Sequence, residues 1–457
     1  MMSISFDSIP VICIVSFSLY YVLSLIYPKS QLPILITTFV FTNMVSRTSL
    51  FKSLTHSASR SIKSGIPSLA NLPTSSGANY SKFQSLNKDQ KIEVLSAIKS
   101  LKSYQFHAQD VNERRKSLFT HLASKQQSVA KDVGYWKKLE LIDKAIEKNQ
   151  NFVDAVGDFT IEKYGVSLKD FDLIENAKGS IASGNNFRVI EALGHYTRDW
   201  TTGSLSPELR PIFDYVASQL ELAINFKQKH DTVLVFPGSG LGRLAYEFSK
   251  WDYGAVYSIE NSGLMNSFVG YNYGRQTKKS HTIYPYIHTS SDYYNTESQL
   301  RTFEYEPIGE VNKPKNLHIV NEDFTKFEIP NRDKYKNVVV VSVFFLDTAE
   351  NLFTYLETIE KLAKPSGNVE RGYWINAGPL KYGSAAQVEF NADELKEARK
   401  ALGWVDEQEV YTIWDPLSVG NKTGLVGYLT DKESMWQGYY GLNLFTTSRK
   451  ENKSYRV

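Results

Sequence analysis

The stretch from Val233 to Asn261, VLVFPGSGLGRLAYEFSKWDYGAVYSIEN, decides how this 457-residue chain is read. Val233 to Phe236 are continuously apolar, as a strand buried on both faces requires, and Pro237 ends the ladder. Gly238, Gly240 and Gly242 follow, and a helix is predicted to start near Leu241 with its first N–H groups aimed at whatever the turn holds. "AVYSIE" is then a second short strand. It ends on Glu260, which follows Gly242 by 18 residues, a spacing that suits a carboxylate accepting hydrogen bonds from both hydroxyls of a ribose. Two kinds of nucleotide cofactor compete for such a turn, with a purely structural tight turn as the alternative to both. The dinucleotide fingerprint G-x-G-x-x-G needs glycine where Arg243 stands, and an arginine there would crowd a pyrophosphate. The spacing present, G-x-G-x-G, suits S-adenosylmethionine, which has no phosphate.

Outward from this unit the alternation continues. "NLHIVNEDF" supplies a third strand running into Glu322 and Asp323, "YKNVVVVSVFFLD" a fourth ending at Asp347, and "RGYWINAGP" a fifth. The helix after the fourth strand carries Leu352, Leu356, Ile359 and Leu362 on one face and stops at Pro365. Asn391 with Glu394 forms a capping box for a further helix that Gly403 closes. Two aromatic strands, "EVYTIW" and "YYGLNLFTTS", finish the chain. The predicted fold class is α/β, a doubly wound Rossmann-like sheet with an antiparallel C-terminal edge. Ligands bind outside the carboxyl ends of such strands, where Gly238, Glu260, Asp323 and Asp347 all fall.

Residues 80–229 read as a helical subdomain preceding a 230–457 sheet domain. Ile92, Leu95, Ile98 and Leu101 recur at three-residue steps, and the segments around Leu118 to Ala123 and Leu139 to Ala155 continue in that style. "IEALGHYTRDW", Ile190 to Trp200, is another helix, and by spacing alone its His195, Arg198 and Asp199 form a solvated face. Residues 1–79 differ from the rest. Between Ser8 and Lys88 there is no Asp or Glu; Ile9 to Tyr27 is apolar enough to span a bilayer and Leu32 to Phe41 is a shorter apolar run, so residues 9–41 are a candidate membrane contact. From Met44, "MVSRTSLFKSLTHSASRSIKSG" instead resembles a mitochondrial presequence, and a Ser/Gly/Pro linker follows.

With 52 Lys+Arg against 49 Asp+Glu and no long basic run, nucleic acid is not an expected partner. The single cysteine, Cys13, excludes an intramolecular disulfide and any multi-cysteine zinc site, and the eight histidines show no metal-ligand spacing, so no metal is predicted.

"FPGSGLGRLAYEF", "IENSGLMNSF", "EDF", "VFFLDTAENLFTYLETIEKLAKPSG" and "WINAGPLKY", in this order, closely resemble the carnosine N-methyltransferase family over about Phe187 to Lys450. The resemblance implies a methyltransferase version of the sheet, S-adenosyl-L-methionine as cofactor, methylation of an imidazole nitrogen of a histidine-containing dipeptide (carnosine to anserine), and a cytosolic or nuclear location rather than the mitochondrial or membrane-anchored one that the N-terminus suggests. It assigns His195, Arg198, Gly238, Gly240, Glu260, Asp323 and Phe324 to the cofactor, with His195 standing where the family has Gln. Asp347 falls on the acid that faces the dipeptide and is the expected catalytic residue, through either the imidazole or the peptide's amino group; Tyr382, Tyr439 and Tyr440 fall on substrate-side tyrosines. Gly383 replaces a family histidine and Gly441 a tyrosine. Those departures leave a different small-molecule or peptidyl-histidine acceptor, or an inactive cofactor-binding module, as alternatives.

Overall fold

The computed structural model describes residues 71–175, 187–201, 203–274, 280–412 and 424–450, with isolated positions 20, 21, 24, 36, 38 and 69. The chain divides into two compact units, Met1–Pro73 and Thr74–Val457. Apart from those isolated positions, the apolar runs of residues 9–41 and the presequence-like segment lie outside the described residues. Among the described residues no helix is long and apolar enough to cross a membrane.

Helix α1, Lys88–Phe119, opens on a reciprocal capping box in which the Asn87 side chain accepts from the Gln90 N–H and the Gln90 side chain accepts from the Asn87 N–H. It buries Leu95, Ile98, Leu101 and Tyr104 along one stripe. The helical pattern expected around Leu118 to Ala123 does not continue it: α1 ends at Phe119, Leu118 and Leu122 are exposed, and a short helix restarts at Ser124–Asp132. Helix α2, Tyr135–Tyr164, lies between Gly134 and Gly165, and α3, Phe187–Asp199, and α4, Leu209–Ala223, follow.

The sheet then forms from β1, Thr232–Pro237; β2, Ala255–Glu260; β3, Leu317–Asn321; β4, Asn337–Val343; β5, Arg371–Gly378; β6, Val405–Tyr411; and β7, Asn443–Lys450. Helices α5, Arg243–Ser249; α6, Gly263–Asn272; α7, Leu352–Ala363; and α8, Ala392–Ala401, are interleaved. The spatial order is β3-β2-β1-β4-β5-β7-β6. β1 to β5 pair in parallel, and β7 runs antiparallel between β5 and β6. The dinucleotide-binding order is 3-2-1-4-5-6. Here a late antiparallel strand, β7, is inserted between β5 and the edge strand β6.

Two edge elements differ from the sequence reading. β6 starts at Val405, not Glu409, because Asp406, Glu407 and Glu409 hide its pattern; Arg399 of α8, fully buried, pairs with Asp406 and Glu409. Tyr439 and Tyr440 do not open β7. They pair antiparallel with Val426 and Gly427 in a separate ribbon.

One core runs under helices and sheet together: Leu101, Ile142, Val153, Leu193 and Val216 belong to the same buried cluster as Leu234, Val256 and Ile375. A second cluster lies beneath α7 on the other sheet face, with Trp374 and Phe445 at its centre.

Candidate cofactor and active site

The glycine turn uses backbone that L side chains disfavour, with φ at 56° for Gly238, 56° for Gly240 and 76° for Gly242. A methyl group on Gly238 would run into the Phe345 ring, whereas one on Gly240 meets nothing within 4 Å. Gly238 therefore serves close packing, and Gly240 keeps the space over the turn open. The Ser239 N–H donates to the Ile259 carbonyl at 3.0 Å, fastening the turn to β2. Gly240 N–H donates to Glu260 Oε2 at 2.9 Å and Ser262 N–H to Oε1 at 2.8 Å. Each carboxylate oxygen is thus oriented by main chain and keeps a lone pair for a ligand. Burial raises the Glu260 carboxyl above its ordinary value, against the pull of those two N–H groups.

These groups open on a cavity of about 500 Å³ outside the carboxyl ends of β1 to β4. Gly238, Gly240, Glu260, Asp323, Phe324, His195 and Arg198, the residues assigned to the cofactor, all line it. Asp323 Oδ1 accepts from the Thr325 N–H at 2.9 Å and the Thr325 hydroxyl at 2.8 Å, which fixes its carboxylate at the strand end. Phe324 stands edge-on to Phe345, centroids 5.4 Å apart, and Phe345 stacks on Tyr355 at 4.4 Å and 2°. A flat heterocycle finds an aromatic wall there, with an acid beside it.

The end of α3 is bolted to the turn. Trp200 Nε1–H donates to the Leu241 carbonyl at 3.1 Å, and the Arg243 guanidinium, above the Trp200 ring at 5.1 Å, donates to the carbonyls of Asp199 at 2.6 Å and Gly203 at 3.2 Å. Arg243 also pairs with Glu247 at 2.7 Å. The side chain that breaks the dinucleotide fingerprint is a clamp for the segment bearing Arg198. Arg198 donates to Asp199 at 2.6 Å and lies over the Tyr428 ring at 5.3 Å; burial opposes its charge, and Asp199, with Tyr428 and Glu208, more than offsets that. His195, 6% exposed, has Nε2 3.4 Å from the Tyr428 hydroxyl and 3.8 Å from Glu191, while among the described residues Nδ1 has no hydrogen-bond partner. Burial, then Arg198, lowers its pKa, against Glu191 and Asp199.

Asp347, Tyr382, Tyr439 and Tyr440, the residues expected on the substrate side, do not line the cavity. Asp347 sits in the turn Leu346–Thr348 just after β4, and its Oδ2 accepts from the Lys381 N–H at 3.0 Å. Phe344, Phe345 and Thr348 around it do line the cavity. Burial raises the Asp347 carboxyl, against that Lys381 N–H. Tyr440 reaches the site through Phe344, ring centroids 5.9 Å apart, and Lys381 Nζ lies 5.7 Å from the Tyr440 ring. The Tyr439 hydroxyl donates to Gln437 Oε1 at 3.4 Å, and Tyr382 packs against the cluster beneath α7.

Phe344, Tyr428, Glu93, Glu191 and Arg188 line the cavity without a signal in the sequence reading. Phe344 is held at φ 48°, a conformation a bulky residue adopts only when its surroundings impose it, but no sequence pattern announces that. Tyr428 is one of 28 tyrosines, so composition cannot single it out. Glu93 was detectable in principle, as an acid beside the apolar positions of α1.

Sheet order, glycine turn and strand-end acids together define a methyltransferase of the Rossmann-like class. Residues 178–451 match the family model described as carnosine N-methyltransferase, and the chain belongs to that family. It is 32% identical over 344 residues to "Uncharacterized protein YMR209C" of Saccharomyces cerevisiae, covering 68% of this chain and 72% of that protein. It is 26% identical over 361 residues to the carnosine N-methyltransferase of Schizosaccharomyces pombe, covering 76% and 92%, and 24% identical over 391 residues to that of Rattus norvegicus, covering 79% and 88%. Among solved structures, the magnesium protoporphyrin IX methyltransferase of Synechocystis PCC 6803 with bound SAH is similar at 10% identity and a TM-score of 0.31, covering 55% of this chain and 90% of that one. The cofactor is S-adenosyl-L-methionine, and the chemistry of the cavity fits such a group: the Glu260 carboxylate could accept from hydroxyls, the aromatic wall beside Asp323 could take a flat heterocycle, and the Arg198 guanidinium could face a carboxylate.

Proposed function

We propose that the protein transfers a methyl group to an imidazole nitrogen of a histidine-containing dipeptide, carnosine being the model acceptor. The observation that carries this reading is the position of Asp347, fixed through the Lys381 N–H directly after the β4 residues that line the cofactor cavity. S-adenosylmethionine supplies an electrophilic methyl carbon on a sulfonium centre. The protein's part is placement: holding donor and acceptor in near-attack geometry is worth up to about 7 to 11 kcal/mol in well-oriented systems. Imidazole, with a reference pKa of about 6.5, is mostly neutral at pH 7 and already carries a lone pair. A carboxylate that accepts the N–H of one ring nitrogen selects the tautomer whose other nitrogen faces the methyl group, and it stabilises the cation that forms. Asp347 has that role in this reading. Tyr440 bears on that site in this reading only through its ring contact with Phe344.

Gly383 and Gly441 favour a second reading, in which the chemistry is the same and the acceptor is another imidazole or amine. Purified protein incubated with methyl-labelled S-adenosylmethionine and a panel of histidine dipeptides, free histidine and peptidyl-histidine tests both. Label in carnosine supports the first; label only in another acceptor replaces it; cofactor binding without transfer to any of them leaves a binding module.

A further inference from the structure

The family match begins at residue 178, yet one residue lining the cavity comes from α1, far upstream. Glu93 lies in the second turn of that helix and lines the same cavity as Glu260, Ser262 and Asp323. Its placement is over-determined. Glu93 Oε2 accepts from the Gly263 N–H, the first residue of α6, at 3.1 Å. Gly263 has to be glycine here, because a methyl group on it would strike the Glu93 carbonyl. One turn earlier Gln90 Nε2 donates to the Asn321 carbonyl at the end of β3, at 2.8 Å, which ties the start of α1 to the sheet.

We propose that Glu93 is a cofactor-binding residue: its carboxylate, beside that of Glu260, accepts a hydrogen bond from a hydroxyl of the cofactor's ribose. The inference rests on the S-adenosylmethionine reading of the cavity. A ribose offers two hydroxyl donors, and each oxygen of Glu260 already receives one backbone N–H. A second carboxylate on the same rim allows each hydroxyl its own charged acceptor. The two acids are close enough that Glu93 adds to the rise of the Glu260 carboxyl, after burial. Bringing them together has a cost in like-charge repulsion, which donors between them would relieve.

The test is calorimetry on the full chain with S-adenosylhomocysteine and with its 2′-deoxy and 3′-deoxy analogues. Glu93→Gln keeps an acceptor for the Gly263 N–H, and Glu93→Ala removes it. Loss of a hydrogen bond to a charged group, about 1.5 to 3 kcal/mol, is about a 10- to 150-fold weaker Kd. Both variants should bind S-adenosylhomocysteine about that much more weakly, and the loss should vanish on one of the two deoxy analogues, the one lacking the hydroxyl that Glu93 accepts. An unchanged Kd in Glu93→Gln, with the same thermal midpoint as wild type, overturns the proposal. An equal loss on all three ligands overturns it too, since a merely structural role would do that. If the wild type binds no S-adenosylhomocysteine, the cofactor reading fails and this inference with it.

Discussion

The Glu260 carboxylate is aimed by the protein's own backbone, so its removal should weaken the cofactor without loosening the turn, which Ser239 fastens independently. If Glu260 accepts from the ribose hydroxyls, Glu260→Ala deletes that acceptor, and at about 1.5 to 3 kcal/mol for a charged hydrogen bond the Kd for S-adenosylhomocysteine should rise about 10- to 150-fold, as read by calorimetry. Asp347→Asn keeps the shape and the Lys381 contact but removes the charge that, in the proposed reaction, favours an imidazolium. Turnover should collapse while cofactor affinity stays within a few-fold, and N-acetylated dipeptides distinguish an imidazole contact from an amino-group contact. The two glycine departures are of different kinds. A methyl group on Gly383 meets nothing within 4 Å, so Gly383→His has room and should lower the KM for carnosine in steady-state assays. If it abolishes turnover in a folded protein, the acceptor is a bulkier one. Gly441 lies against the Thr412 carbonyl and leaves no space for a side chain, so Gly441→Ala should lower the thermal midpoint.

Helices and strands hold these residues in place through contacts that sequence spacing did not expose. The α3 residues Arg198 and His195 looked like a solvated face because periodicity sees only one helix; what buries them is Tyr428 from more than 200 positions away and the Trp200–Arg243 clamp. β1, β2 and β4 were legible because strands covered on both faces must be apolar throughout. β6 was not, because its acids break the apolar pattern: Asp406 and Glu409 pair with the buried Arg399, while Glu407 is exposed. Glu409 on that strand shows the cost: burial opposes its charge, but Lys396 and Arg399 hold its pKa down to about 2. A depressed carboxyl stabilises the fold above its unfolded value of about 4.3 and loses that contribution as pH falls through about 2. Glu409→Gln should therefore melt below wild type at pH 7, and the two melting curves should converge as the pH is lowered from about 4.3 towards 2.

Across the whole molecule, the fold class is legible, since alternating strands and helices with a late aromatic pair permit few other arrangements, whereas nothing in the spacing places β7 between β5 and β6. The helical region was expected as a subdomain of its own, and the shared core makes that description incomplete. A chain starting at Asn79 keeps α1 with its capping box, and we expect it to fold and bind S-adenosylhomocysteine. One starting at residue 178, where the family match begins, lacks Leu95, Ile98, Leu101, Ile142 and Val153. Each such side chain contributes about 1.5 to 3 kcal/mol when buried, and together they rival the ~5 to 15 kcal/mol by which a whole domain is stable. That shorter chain should be insoluble or molten, as circular dichroism and dye binding would register. The common core also has a consequence for how the protein opens. The helical pair and the sheet share buried side chains, so detaching the pair exposes apolar surface on both sides of the split, and its amides should exchange hydrogen at rates close to those of the sheet. Limited proteolysis should then find few cuts within α1 and α2 ahead of global unfolding.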